Sequence, residues 1–122
     1  MCCAISDDED AAYEACRRTI AFYATVRTYA PLWELHGFGE AALQVGEAFR
    51  FGDLAGMPVL VPNEMVDACC AAGSVDKVQA RVADAGERGD GAFLTPPTYY
   101  ISPDELAAYQ RRIVDAFAPA RT

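Results

Sequence analysis

The chain has one histidine, His36, and ten lysines and arginines against eighteen aspartates and glutamates. The resulting net charge of −8 at pH 7 argues against a general nucleic-acid binder, which needs clustered cations to neutralise phosphates. It equally disfavours an anionic membrane surface. Long apolar runs are missing. Met1 is followed by four apolar residues before the acidic run 7–10, too few for a membrane span or for the apolar region of a secretory signal. There is no phosphate-binding G-x-x-x-x-G-K-[ST] loop, no H-E-x-x-H and no nucleophile elbow. The C-x-x-C spacing of zinc sites is also missing. Cys2, Cys3, Cys16, Cys69 and Cys70 form two adjacent pairs and a single residue, and adjacent side chains do not easily reach one tetrahedral ion. The cysteines therefore read as small hydrophobes, with no metal site, and as the reduced thiols of a cytoplasmic protein.

What is present is enough apolar material for a core: 52% of the 122 residues, about the common size of one domain. "MCCAIS" reads as a short strand ending at Ser6, a plausible N-cap, and the acids 7–10 fall in the first turn of a helix, where the macrodipole favours them. Ala12, Cys16, Ile20 and Tyr23 give that helix one apolar stripe. "PLWELHGFG" predicts a short helix and a turn, and "EAALQVGEAFRFGD" a helix stopping near Gly52. "MPVLVP" is bracketed by prolines and reads as an extended connector. "NEMVDACCAAG" reads as a helix opened by Asn63 and closed by Gly73. Ser74 caps a helix with Val75, Val78, Val82 and Ala85 on its apolar side, and Gly89 suits the left-handed conformation after it. "GAFLT" has the continuous apolar character of a strand buried on both faces. Ser102, Pro103 and Glu105 form a capping box with proline at the first helical position, followed by the stripe Leu106, Tyr109, Ile113 and Phe117. The strands at Cys2–Ile5 and Ala92–Thr95 are expected to be parallel neighbours or near-neighbours with right-handed connections. Two or three strands are too few for a covered parallel sheet, which usually has five or more.

Two stretches carry a resemblance. "DEDAAYEACRRTIAFYATVRTYAPLWELHGFGEAA" and "VPNEMVDACCAAGSVDKVQARVADAGERGDGAFLTPP" are similar, in order and spacing, to the later part of the bacterial luciferase-like monooxygenases. The matching features are the acidic strand end, the helix with an arginine and "FY" pair, Tyr29 before Gly37-Phe38, and the blocks Pro62 to Asp67, Gly73 to Val78 and Gly89 to Leu94. Val75 stands where that family usually has proline, and Asp90-Gly91 reverses the usual order of a small residue then aspartate. The resemblance covers nearly the whole chain.

It implies a flavin- or deazaflavin-dependent oxidoreductase on a (β/α)8 TIM barrel. Such a barrel takes about 250 residues. The chain thus resembles one C-terminal part of a barrel domain, residues 1–122, with the last two to three βα units and an inserted helical region. The implied cofactor is the deazaflavin coenzyme F-420 or FMN, the former branch being the more similar. The implied partners are a small-molecule substrate and either a missing N-terminal half-barrel or a second copy.

Barrel active sites lie at the C-terminal ends of the strands, here the loops starting at Ser6, Gly73-Ser74 and Thr95. Gly73 and Ser74 open a helix whose free N–H groups could receive a cofactor phosphate; the plainer reading is an ordinary cap. Thr95, Tyr99 and Tyr100 could line a ring-shaped substrate, or simply cover the barrel mouth. His36 could serve as a general base, but its place before Gly37 suits a helix C-terminus better. Asp7, Asp8, Glu9 and Asp10 suit a solvated helical turn better than a metal cluster. No catalytic residue is identifiable. Three functions stay open: the C-terminal portion of such an oxidoreductase, inactive alone; a non-catalytic remnant or half-barrel held by a partner chain; and a self-standing α/β ligand-binding domain.

Overall fold

In the computed structural model, which describes residues 1–119, two strands far apart in sequence meet at the centre. β1 (Cys2–Ile5) and β2 (Cys70–Gly73) pair in parallel in the register Cys2↔Cys70, Cys3↔Ala71, Ala4↔Ala72 and Ile5↔Gly73. A parallel pair needs a long crossover. Here it consists of α1 (Glu9–Ala24), α2 (Ala30–Leu35), α3 (Gly39–Arg50) and α4 (Asn63–Cys69), with 3₁₀ turns at Arg27–Tyr29 and Pro58–Leu60. α5 (Val75–Gly86) and α6 (Pro103–Phe117) follow β2.

Because side chains alternate along a strand, the sheet has two distinct faces. Ala4, Cys70 and Ala72, with Cys2 beside them, pack against Ala12, Cys16 and Ile20 of α1, within a core that includes Trp33, Val45, Met57 and Met65. Cys3, Ile5 and Ala71 face the other way, against Val78 and Val82 of α5 and Ile113 and Phe117 of α6. Helices of this one chain thus cover both faces. In a barrel wall, one face would instead point at other strands' side chains in the barrel interior.

The capped helices lie where their sequences place them. Ser102 Oγ accepts from Glu105 N at 3.2 Å while Ser102 N donates to the Glu105 carboxylate at 2.9 Å, and Ser74 Oγ accepts from Lys77 N at 3.3 Å. The α1 stripe is buried at Ala12, Cys16 and Ile20.

Several expectations are corrected. The cap of α1 is Asp8, whose carboxylate accepts from Ala11 N at 3.2 Å; Ser6 Oγ instead accepts from Asp8 N at 3.1 Å. α4 does open at Asn63 as expected, and the Asn63 side chain accepts from Arg17. The segment ending at Gly73 is half helix and half strand, the helix giving way at Cys70. The 57–62 connector tightens into a 3₁₀ turn because proline fixes a helical φ at position 58. α5 ends at Gly86, and Gly89 does not adopt a left-handed conformation.

The third expected strand is rudimentary. Thr95 makes one parallel pairing, with Cys2, held by Cys3 N→Thr95 O at 2.8 Å and Thr95 N→Met1 O at 3.0 Å. Direction and neighbour agree with expectation, but Phe93 is exposed rather than buried on both faces. The pairing lies on the free side of β1, giving the order β2–β1–Thr95, whereas strands of a barrel follow one another in sequence order around the wall.

Two outcomes follow from these contacts. Ser102→Ala should lower stability by about 1 kcal/mol. The hydrogen bonds from Ser102 hold the Glu105 carboxyl below its ordinary pKa of 4.5, so their contribution is present above that value and is lost as pH falls through the lowered one. Urea unfolding from pH 6 down to pH 3 should show that acid loss, and Glu105→Gln should flatten it. Separately, Gly73 has φ +129, and a Cβ there would lie 2.9 Å from both Glu9 Oε1 and Lys77 Cδ. Gly73→Ala should therefore cost more than about 1 kcal/mol in a thermal melt.

Candidate functional site

The strand register sends the sequence-derived site residues to opposite ends of the sheet. Gly73 pairs with Ile5 at the C-terminal end of β1, whereas Thr95 pairs with Cys2 at its N-terminal end. Three residues of strand separate them, about 10 Å. Gly73 and Ser74 therefore do not share a site with Thr95 and Tyr99.

At the C-terminal end, Gly73 lets β2 turn into α5 at positive φ, and Ser74 spends its hydroxyl on the helix cap. The space beside Gly73 is filled by the Glu9 carboxylate and the Lys77 side chain. Lys77 Nζ donates to Glu9 at 3.1 Å and to the Tyr13 hydroxyl at 2.8 Å, and Tyr13 donates in turn to Asp67. This chain clamps α1, α4 and α5 together. Burial and the bond to Asp67 push the Tyr13 phenol up, and the bonds to Tyr13 and Glu9 push the Lys77 ammonium up. Both shifts lead away from neutrality, so neither group is poised to exchange a proton near pH 7. An incoming phosphate would meet the Glu9 carboxylate beside Gly73. The residues at this end do not fit a cofactor phosphate as arranged.

At the N-terminal end lies an aromatic cluster. Tyr99 stacks on Phe22 with ring centroids 3.7 Å apart and planes within 7°, and Tyr23 meets Tyr99 edge-on at 5.5 Å. Tyr29 meets Tyr23 at 5.0 Å. The hydrogen bond with Tyr99, then burial, raises the Tyr23 phenol. A cleft of 400 Å³ is bounded by Cys2, Thr19, Tyr23, Thr95, Thr98 and Tyr99. Thr95 and Tyr99 thus do share one cavity, but one face of Tyr99 is already occupied by Phe22. Tyr100 stands apart, half exposed at φ +60, its carbonyl accepting from Arg18 at 3.1 Å.

The remaining candidates have structural roles. His36 is exposed and is the residue that ends α2. Asp7 approaches Arg112 at 3.7 Å, Asp8 caps α1 and Glu9 pairs with Lys77. A further cleft of 380 Å³, bounded by Arg27, Trp33, Glu34, Leu43 and Arg50, lies among α1, α2 and α3 and holds none of the candidate residues.

Two groupings escape the sequence. One is the Tyr13–Lys77–Asp67 chain, whose members are up to 64 residues apart. The other is Cys2, Cys16 and Cys70, whose sulfurs all lie within 4.8 Å of one another. Hydrogen bonds with Cys16 and Cys70 hold the Cys2 thiol well below the usual thiol range, and the bonds to Cys2 and Cys70 push Cys16 up. Cys70 is also raised: its bond with Cys16 pulls it down, but its bond to Cys2 and burial prevail. The available signal was the place of Cys16 in the sheet-facing stripe of α1, opposite two strands that each begin with cysteine.

Comparison with known proteins places the chain. The sequence profile of the luciferase-like monooxygenases matches residues 1–112. Two uncharacterized proteins of Mycobacterium tuberculosis, Rv1360 and MT1405, and one of Mycobacterium bovis, Mb1395, are 32% identical to it over 75 residues. The matched stretch is 60% of this chain and 22% of each relative, so the chain spans about a fifth of the length of these curated relatives. No solved structure matches. With a family match running from the first strand into the last helix, the chain belongs to the luciferase-like monooxygenase family.

Proposed function

We propose that this chain is the C-terminal part of a luciferase-like (β/α)8 barrel, whose complete form is an oxidoreductase using the deazaflavin coenzyme F-420 or FMN on a small-molecule substrate. The carrying observation is a family match over residues 1–112 in a chain that spans only 22% of its curated relatives. The parallel strands, each followed by a helix, support the same reading. So do the large apolar side chains left exposed at Leu35, Leu43, Phe51, Val59 and Phe93, which would face further elements of a barrel. A cytoplasmic location fits five free thiols, and among the described residues no helix is long and apolar enough to cross a membrane.

A bound flavin or deazaflavin would supply the hydride chemistry. This chain would contribute loops at its strand ends, among them Gly73-Ser74 and Thr95–Tyr99. Alone it is inactive in this reading, because the two candidate regions lie at opposite ends of the sheet. A half-barrel completed by a partner chain has the same requirement. One observation favours a self-standing α/β ligand-binding domain instead: helices of this chain cover both sheet faces.

Fluorescence titration of the 122-residue chain with FMN and with the deazaflavin coenzyme should show no tight binding. Micromolar affinity needs about 8 kcal/mol, and a partly buried helix N-terminus contributes about 1. A submicromolar dissociation constant would mean that the site is complete in this chain. Sedimentation velocity should show dimers or larger species, driven by the exposed apolar side chains. A monodisperse monomer with a cooperative melt at high temperature would favour the self-standing domain.

A further inference from the structure

We propose that Cys2, Cys16 and Cys70 form a binding site for a thiophilic divalent cation of the zinc class, with a fourth coordination position open to solvent. The three sulfurs come from three elements, two neighbouring strands and the helix packed on them. Cys2 and Cys70 are register partners at the starts of β1 and β2, so their side chains leave the sheet on the same face. Cys16 sits over them, fully buried in the α1 stripe.

The spacing is that of a coordination sphere. A zinc–sulfur bond of about 2.3 Å in a tetrahedron puts two sulfurs about 3.8 Å apart. Cys2 Sγ and Cys16 Sγ are 3.8 Å apart, and all three sulfurs fall within 4.8 Å. Small side-chain rotations would bring them to one ion. Cys3 and Cys69 do not belong to the group: Cys3 faces the α5–α6 side of the sheet, and Cys69 ends α4.

Access and a free position are also provided. Cys2 borders the 400 Å³ cleft described above and, with Cys70, a second cavity of 170 Å³. Thr19 and Tyr23 border both cavities. Trp33, whose buried indole N–H has no partner among the described residues, lines the second. Three protein ligands with an accessible fourth position is the pattern of zinc sites that bind water or an exogenous ligand. Thiolates would bind after losing their protons, so the ion should displace three thiol protons in all, fewer where a sulfur is already ionised.

The test uses the full reduced chain and cadmium as a spectroscopic probe, with zinc as competitor. One cadmium per chain should give a thiolate-to-metal charge-transfer band in the ultraviolet, and zinc should abolish it. Mass-spectrometric mapping should show the partly exposed Cys2 protected from alkylation by the metal while the partly exposed Cys69 stays reactive. Cys16→Ala and Cys70→Ala should each weaken cadmium binding at least tenfold, while Cys3→Ala and Cys69→Ser leave it unchanged. The alkylation pattern of the unmodified chain carries the test if a variant fails to fold. An undiminished band in Cys16→Ala would overturn the assignment, as would alkylation that the metal does not alter. A Cys2–Cys16 disulfide that forms in air despite zinc would also overturn it.

Discussion

The parallel pairing of residues 2–5 with residues 70–73 is the constraint on which the rest of the structure depends. Each strand is only four residues long, so the pair contributes few ladder hydrogen bonds and must be held from its faces. The residues chosen for it are small: Cys2, Cys3 and Ala4 on one strand, Cys70, Ala71, Ala72 and Gly73 on the other. The stripe of α1 that faces the sheet is mostly small as well, Ala12 and Cys16 lying beside Ile20. Short side chains on both partners let helix and sheet approach closely. That close approach brings three cysteines into sulfur contact and places Glu9, at the start of α1, against Gly73 at the end of β2.

Sequence legibility varies with the kind of signal. Helices with side-chain caps are readable because the cap chemistry is local: Ser74, and the box formed by Ser102 and Glu105, lie where the spacing puts them. β1 is readable as an apolar run before an acidic helix start. β2 is not. Cys-Ala-Ala-Gly contains no β-branched or aromatic residue, and it follows α4 without a turn, so its composition suits a continued helix. Only pairing with β1 makes it a strand, and that partner lies 68 residues away. The candidate site was legible in the same uneven way. Thr95 and Tyr99 do border one cavity, but their separation from Gly73 and Ser74 depends on a strand register that no local pattern encodes.

The placement of Thr95 is where family membership and observed topology meet. In the order β2–β1–Thr95 the chain crosses back past β1, and α5 and α6 lie over the sheet face opposite α1. With only two strands among the described residues, these residues form no barrel interior to receive Cys3, Ile5 and Ala71. Burying them under helices is the route left to the chain, because apolar surface removed from water stabilises by about 25 cal/mol per Å². The large apolar side chains that stay exposed, Phe51 and Phe93 among them, mark where that local solution runs out.

The join between β1 and the 91–95 segment rests largely on the first residue. The Met1 ammonium donates to Phe93 O at 2.8 Å and the Met1 carbonyl accepts from Thr95 N at 3.0 Å, leaving Cys3 N→Thr95 O as the one backbone bond of this join made without Met1. Two of these three bonds therefore belong to a single residue, and the third strand is fastened at one point rather than along a ladder.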